Sequence, residues 1–550
     1  MKNSPFFWGS LLGSFLLVAL GQSSWVEGFS IAASAFGYAL FWRAMLTLEK
    51  RGSQFWLSAG WFASVQAVQL SWLTSTHYMG PLILLIYTFL IVAIGAQFGL
   101  LSLFFSDKKI SLSGCLAGAG SWVLLEWIRL LPFSGFTWNP AGLALAGSTP
   151  SIQFAALFGV YGLSFWVIFV NLFAIYAQGN NKRWAIWASL ALFPYLFGWL
   201  HQTWIEKNFP PEKTISVALV QTAFLPEEKD EWVHRSAAFI PPLNQWELIC
   251  DSLREDRRLD LLILPEGAVS MSAYRPFYPI ESLKEFWVHR FGEAALSDLP
   301  PCEPPMAALD WSRGGKRIWK ATNAMIAQGL ANHFHSHVIV GFDDQEEGLK
   351  YNAAFHFQPD RSPQRYEKRI LVPIAEYIPF PNLPGFTKFL IDQFGIGDSF
   401  NIGKEAKLFE APWPIGVSIC LEETYSALIR ELKVKGAHLL VNISNDVWFP
   451  ESRLPYQHFL HGRIRAAENG VHVLRSCNMG VTGGVNCFGG VIGAFNPADH
   501  EIGILYLHIP LRSFQTLYSL WGDGAILFFS SLFLLFWFRK KKLLLNGSLR

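Results

Sequence analysis

Long apolar runs separated by very short polar links fill the first two fifths of the chain. Runs near 6–24, 29–47, 54–73, 81–105, 113–131, 153–178 and 184–202 approach or exceed the ~20 helical residues that cross ~30 Å of hydrocarbon, and predict seven membrane spans. From 203 to 515 the pattern changes to charged, proline-rich sequence with short β-type runs. These fall at Ile215–Gln221, Leu261–Leu264, His337–Phe342, Asn352–Phe357, Ile415–Cys420, His438–Ile443, Val471–Arg475 and Gly484–Ile492. Helical periodicity lies between several of them, notably at Ser426–Lys435 and Tyr456–Asn469. Strands alternating with helices favour a sheet covered on its faces over an all-β sandwich. A last apolar run, about 520–538, leads into Arg539-Lys540-Lys541-Lys542. The expected organisation is therefore a transmembrane domain over 1–202, an α/β domain over 203–515, and a closing span with a short basic tail over 516–550.

Composition strengthens the membrane reading. Hydrophobic residues make up 51% of the 550 and charged residues only 16%, against roughly 25% in soluble domains. The 44 basic and 42 acidic residues nearly cancel, so nothing in the charge points to nucleic acid. Basic residues set orientation, because they stay cytoplasmic. With the N-terminus inside, Arg43, Lys50 and Arg51, then Lys108 and Lys109, then Lys182 and Arg183, and finally the C-terminal cluster all fall on one side. The links around Trp25–Gly28 and Thr74–Gly80 carry no lysine or arginine. Eight crossings then leave both termini cytoplasmic and the 203–515 domain periplasmic or extracellular. The alternative, that Met1–Gly21 is a cleaved signal, meets a segment with one basic residue and no clear small-x-small site before Trp25. Six cysteines without a CxxC pair give no support to a zinc or redox site, and no metal-ligand cluster or cofactor motif is visible. The spacing of Cys250, Cys302, Cys477 and Cys487 leaves disulfide pairing open.

Three strand ends carry candidate chemistry. The run Leu261–Leu264 delivers Glu266 through Pro265, and Ile415–Ile419 delivers Cys420 in the same manner. Between them Tyr366-Glu367-Lys368-Arg369 leads with a lysine into the apolar Ile370-Leu371-Val372. Ligands of open α/β sheets bind at the carboxyl ends of strands. A thiol needs its proton removed before it can attack, which a carboxylate does, and an ammonium steadies both thiolate and oxyanion. Each residue alone has a bland reading: an inert core thiol, a carboxylate beside a helix start, a solvated lysine.

Taken in this order the set resembles the carbon–nitrogen hydrolase (nitrilase) superfamily. Thr214–Gln221 and Asn442-Ile443-Ser444-Asn445-Asp446-Val447-Trp448-Phe449 are further matching stretches. With the apolar spans included, the chain is similar to the bacterial apolipoprotein N-acyltransferase family. Lys368–Pro379, Gln457-His458-Phe459, Arg463–Glu468 and Glu126-Trp127-Ile128-Arg129 carry that likeness over nearly the whole length. The resemblance implies an αββα sandwich on a polytopic helical membrane domain. It implies Cys420 as nucleophile, Glu266 as general base and Lys368 as oxyanion stabiliser, with Glu376 and Glu422 as supporting acids and no cofactor. Its partners would be a phospholipid acyl donor, a diacylglyceryl-modified apolipoprotein acceptor and the bilayer of the bacterial inner membrane. Two departures stand out: Leu421 follows the nucleophile where the family usually has tyrosine, and a proline- and aromatic-rich insert occupies Arg275–Arg317.

Other features admit two readings. Trp448 and Leu421 are candidates for lining the substrate pocket, with ordinary packing the alternative for the tryptophan. Trp232, Phe277, Tyr278 and Trp448 are candidate lipid-touching aromatics, with core packing the default. Glu126 and Arg129, spaced i, i+3, suit a structural ion pair as well as a headgroup contact. His458 fits a structural role better than a catalytic one. The expected reaction is ping-pong acyl transfer through a thioester. Its runner-up is a membrane-tethered amidase or nitrilase acting on a small C–N substrate, and a third possibility is a transporter or scaffold that has lost activity.

Overall fold

The computed structural model describes residues 5–545 apart from 106–109, 133, 230–237, 256–257, 312–314, 360, 395–398 and 497–500. Lys108, Lys109 and Trp232 lie outside the described residues.

Residues 5–208 are mainly helical, with the main helices at Pro5–Gly21, Arg51–Gln69, Ile83–Ser102, Leu112–Ile128, Ala155–Tyr176 and Asn181–Asn208. The predicted run at 29–47 is interrupted. It divides into Glu27–Ala32, a π turn at Ala33–Gly37, and Tyr38–Met45. The π turn leaves carbonyls outside the regular ladder, and Asn171 Nδ2 donates to two of them, Ala33 O at 3.1 Å and Ser34 O at 2.9 Å. Polar side chains here point inward: Gln22, Gln66, Gln69 and Asn171 are buried, while Leu85, Phe89, Val92 and Leu100 are exposed on Ile83–Ser102. Apolar outside and hydrogen-bonded polar inside is the reverse of a water-soluble bundle and suits a hydrocarbon surround. Ile83–Phe105 and Ala155–Tyr176 are long and apolar enough to cross a membrane, and Pro5–Gly21 and Leu112–Ile128 are apolar but shorter. Glu126 and Arg129 do not close the expected pair with each other. Glu126 Oε1 accepts from Trp122 Nε1 at 2.5 Å and Ala141 N at 2.8 Å, while Arg129 Nε donates to Gln97 Oε1 at 2.8 Å.

Residues 213–511 form the α/β part. Its strands are β1 Lys213–Gln221, β2 Leu261–Ile263, β3 Tyr278–Pro279, β4 Ala307–Trp311, β5 Arg317–Ala321, β6 His337–Glu346, β7 Leu349–Gln358 and β8 Arg361–Glu367. They continue as β9 Leu408–Phe409, β10 Ile415–Ile419, β11 Leu439–Ser444, β12 His472–Cys477, β13 Gly483–Val485, β14 Val491–Ala494 and β15 Gly503–Leu511. Two six-stranded sheets result, in the orders β15-β1-β2-β6-β7-β8 and β14-β13-β12-β11-β10-β9. Strand periodicity explains how they stack. Ile215, Val217 and Leu219 of β1 meet Ile415, Val417, Val441 and Ile443 of the other sheet in one core, while Ala218 and Val220 face helices on the far side. Helices Pro242–Ser252, Ile280–Phe291 and Asn323–His333 cover the first sheet, and Ser426–Val434 and Leu454–Asn469 cover the second. The architecture is an αββα sandwich.

Several details depart from the sequence pattern. The run at Gly484–Ile492 is two strands, β13 and β14, divided by a turn in which Asn486 Oδ1 accepts from Phe488 N and Gly490 N, each at 2.9 Å. β8 and β15 lie at the outer edges of the first sheet and were not anticipated; β8 is polar and contains Pro363, which an edge strand tolerates. The Arg275–Arg317 segment contains Ile280–Phe291 and, with Arg317–Ala321, the three-stranded sheet β3-β5-β4. It buries Leu283, Phe286 and Trp287 on the outer layer of the first sheet. Tyr278 is buried there rather than exposed, its hydroxyl donating to Asn323 Oδ1 at 2.6 Å. All six cysteines are free thiols.

The sandwich sits directly on the helical part. Within Ala155–Tyr176 the helix breaks at Gly159, whose φ of +67° suits glycine and at which a Cβ would come within 2.4 Å of the Tyr518 ring. The N–H of Val160 freed by the break is taken by Glu468 Oε1 of the sandwich at 2.7 Å. Beneath the second sheet Arg475 of β12 is fully buried between Glu423, which contacts Nη1, and Asp446 Oδ2, 2.9 Å from Nη2. Removing one member of such a group leaves the others as uncompensated buried charges. Arg475→Met is expected to destabilise the protein by about 3–5 kcal/mol, read as a lowered unfolding midpoint in detergent; an unchanged midpoint would contradict this account.

Candidate active site

Three chain segments deliver the reactive groups, and the backbone explains their placement. The ladder between β2 and β6 runs on past Ile263: Leu264 N donates to Ile339 O at 2.8 Å, Gly341 N to Pro265 O at 3.1 Å and Ala268 N to Gly341 O at 3.1 Å. Glu266 is thereby clamped against Gly341, where an added Cβ would lie 2.6 Å from Glu266 Cα. Lys368 follows β8, its N–H donating to Asn352 O at 2.9 Å and its carbonyl accepting from Gly403 N at 2.8 Å. Cys420 follows β10 with φ +52°, a left-handed conformation strained for a residue with a side chain. Its carbonyl is held by Asn442 Nδ2 and His458 Nε2, each at 3.2 Å.

The side chains converge. Lys368 Nζ lies 3.2 Å from Glu266 Oε1 and 2.8 Å from Glu376 Oε1, with the lysine side chain 1% exposed. Asn352 Nδ2 bridges the same two carboxylates at 2.7 and 2.9 Å. Glu376 Oε2 also accepts from Val372 N at 2.8 Å, which ties the lysine's downstream loop into the cluster. Burial by itself lowers the lysine pKa, but Glu266 and Glu376 outweigh it and hold the ammonium well above the ordinary lysine range. Cys420 is half-buried in the same field. Burial pushes its thiol up, the Glu266 carboxylate pushes further and Lys368 opposes them, so the resting sulfur keeps its proton. Nearby Asp343 is raised to about 6 by burial and by the Glu266 and Glu376 charges.

Glu422 stands two residues from the thiol but spends its carboxylate on other partners. It accepts from Ile419 N at 2.7 Å, Arg369 N at 2.5 Å, Ile370 N at 3.2 Å and the Tyr366 hydroxyl at 2.9 Å, which pins the lysine segment to the cysteine segment. Leu421 is half-buried and packs against the core of the helical part. Trp448 is 43% exposed, and its ring meets Tyr78 of the helical part edge to face at 6.0 Å. Phe277 is 38% exposed on the segment joining β2 to β3. His458 Nδ1 lies 2.9 Å from Asp446 Oδ1, so its ring connects the buried Arg475–Asp446–Glu423 group to the Cys420 carbonyl. Sequence reasoning missed Asn352, Asn442, Glu423 and Arg475. The available signal was polarity inside apolar strands: Asn352, Asn442 and Arg475 each interrupt such a run, and a buried polar group has to be hydrogen-bonded.

Two family models match the chain. Residues 216–508 match carbon-nitrogen hydrolase, and residues 16–173 match the apolipoprotein N-acyltransferase N-terminal domain. Among curated relatives, a Chlamydia caviae protein named apolipoprotein N-acyltransferase is 30% identical over 548 residues, 95% of either chain. A protein of the same name from Chlamydia pneumoniae is 31% identical over 537 residues, 93% of either chain. A solved carbon-nitrogen hydrolase from Helicobacter pylori aligns with 54% of this chain and 89% of its own, at 16% identity and a TM-score of 0.33. Both halves of the chain are matched in order and the relatives are covered nearly end to end: the chain belongs to the apolipoprotein N-acyltransferase family.

Proposed function

We propose that this protein moves a fatty acyl chain from a phospholipid to the N-terminal amine of a diacylglyceryl-modified apolipoprotein, with Cys420 carrying the chain as a thioester. The observation that carries the reading is a half-buried thiol beside the Glu266–Lys368–Glu376 cluster, on a sandwich seated against helices whose outer surface is apolar. In the first half-reaction Glu266 takes the thiol proton and the sulfur attacks an ester carbonyl of the lipid. Lys368 faces the oxyanion, the carbon–oxygen ester bond breaks, and the lysophospholipid leaves as an alcohol with the proton from Glu266. In the second, the acceptor amine attacks the thioester. Glu266 accepts a proton from the amine, the carbon–sulfur bond breaks, and the thiolate recovers a proton as the amide forms. Glu376 keeps Lys368 charged, and Glu422 fixes the two segments that carry lysine and sulfur. Leu421 and Trp448, at the boundary with the helical part, are proposed to line the path of the acyl chain.

Membrane attachment follows from the donor. Each CH₂ of an acyl chain is held in lipid by about 0.8 kcal/mol, so the thiol must work at the bilayer rather than wait for a chain in water. We assign residues 1–202 and 516–550 to eight spans with both termini cytoplasmic, and residues 203–515 to a periplasmic catalytic domain of the bacterial inner membrane. A membrane-impermeant thiol reagent tests this orientation in a background with Cys302 and Cys420 replaced by serine. Ser362→Cys is expected to label in intact spheroplasts and Lys182→Cys only after lysis; the opposite pattern overturns the assignment.

The chemistry is tested by intact-mass analysis after exposure to phospholipid. The wild-type protein is expected to gain one acyl chain at Cys420 and to pass it to a diacylated lipopeptide. Cys420→Ser is expected to lose thioester formation and at least about 10³-fold in transfer. Full labelling of the serine variant would exclude this nucleophile, and turnover of small amides or nitriles in place of lipopeptide acylation would favour hydrolysis.

A further inference from the structure

A concavity opens beside the Cys420 segment, at the boundary between helices and sandwich. It encloses about 280 Å³, ample for a phosphodiester and its glycerol when one water occupies ~30 Å³. One wall comes from the sandwich: Arg369, next to Lys368, and the start of the helix Ser426–Val434, which follows the turn Cys420–Thr424. The opposite wall is mainly apolar and comes from the helical part, with Leu130, Pro140 and Val160.

Three features give this cleft an anion-binding character. The helix Ser426–Val434 starts at Tyr425 without a side-chain cap, and its first-turn residues Ser426, Ala427 and Leu428, whose N–H groups lack an intrahelical partner, line the cleft. Arg369 contributes a guanidinium with five N–H donors, of which Nη1 is engaged by Glu431 Oε2 at 2.8 Å. His461 is the independent sign of a ligand: it lines the cleft, is 1% exposed, and neither ring nitrogen has a hydrogen-bond partner among the described residues. A buried unpartnered imidazole is costly unless something occupies the space it faces. Burial, Arg465 and His458 hold the ring neutral, so one nitrogen donates and the other accepts.

We infer that this cleft seats the phosphodiester of the acyl-donor lipid. Two acids on its wall argue for a diester over free phosphate. Glu431 is paired with Arg369, and Asp523 Oδ1 accepts from the Tyr518 hydroxyl at 3.0 Å. Both disfavour a dianion more than a diester with a single, spread charge. The inference rests on the acyl-transfer reading and deepens it: the diacylglyceryl acceptor has no phosphate, so the cleft discriminates donor from acceptor in the first half-reaction only. Anchoring between Arg369 and the helix that follows the cysteine turn fixes the lipid against the two segments bearing Lys368 and Cys420.

The test uses the full-length protein in detergent. Single-turnover acylation of Cys420 is followed by intact mass with phosphatidylglycerol and with a diacylglycerol of the same chains, alongside binding of fluorescent phosphatidylglycerol to Cys420→Ala. His461→Leu and Arg369→Gln are expected to slow acylation from the phospholipid, and to weaken its binding, about tenfold, while acylation from diacylglycerol changes less than about twofold. Arg369 is half-exposed, so an Arg369→Gln variant with an unchanged unfolding midpoint keeps the test valid if His461→Leu folds poorly. Unchanged phospholipid binding in both variants, or equal slowing with both donors, overturns the subsite. Competition of inorganic phosphate with the lipid in Cys420→Ala would make free phosphate the occupant and overturn the diester. Failure of the wild-type cysteine to gain a chain from either donor would count against acyl transfer itself, a result distinct from an unchanged donor ratio.

Discussion

A lysine ammonium buried between two carboxylates constrains the rest of the molecule. An ion in such a place is tolerated only with close partners, and Lys368 has Glu266 at 3.2 Å and Glu376 at 2.8 Å. That requirement fixes two distant parts of the chain at once: the end of β2, and the end of β8 with the loop that follows it. Asn352 on β7 bridges both carboxylates, so the cluster is supported by the sheet itself rather than by loops alone. The thiol is kept protonated first by burial and then by the Glu266 carboxylate, with Lys368 opposing both. The Glu266 carboxylate that helps keep the lysine charged therefore also raises the thiol.

The seam with the helical part explains an otherwise odd helix. Leu454–Asn469 is buried on nearly every side, unlike a helix covering an ordinary sandwich. Phe459 and Ala466 face the second sheet, while Leu460, Ile464 and Ala467 belong to the core of the helical part. In sequence these read as a broad apolar face with polar residues between them. In the structure most of the polar residues are buried too, and some cross the seam: Glu468 to Val160 N and Gln457 to Gln69 O at 2.7 Å each.

This contrast marks what the sequence could disclose. The strand ends bearing Glu266 and Cys420 were legible because an apolar run that stops at a reactive side chain is a local pattern; Lys368 was legible only as a lysine leading into the apolar Ile370-Leu371-Val372, since β8 before it is polar. The sandwich followed from strand–helix alternation, which is local as well. β15 escaped because its pairing with β1 joins residues nearly three hundred apart, Gly503 to Gln221 at one end and Leu511 to Lys213 at the other. Glu422 was placed near the thiol by its position, yet its partners are backbone N–H groups brought in from Arg369 and Ile370. Periodicity reports which face of an element is buried; it does not report what lies on the other side, and Asn352, Arg475 and His461 acquire meaning only from that.

The two halves are coupled through adjacent residues of one helix. Gln457 bonds the end of the helix Arg51–Gln69, and its neighbour His458 holds the carbonyl of Cys420 at 3.2 Å. Trp138 of the helical part packs edge-on against both His458 and His461, at 5.6 and 5.5 Å. A residue in a strained left-handed conformation, as Cys420 is, needs surroundings that over-determine it, and the helix that supplies His458 is itself packed against the helical part. The helices then do more than tether a soluble hydrolase to a surface. They pack against the helix whose His458 holds the Cys420 carbonyl, so a sandwich cut free of them would lose the Gln457–Gln69 bond and the Trp138 contacts that seat that helix.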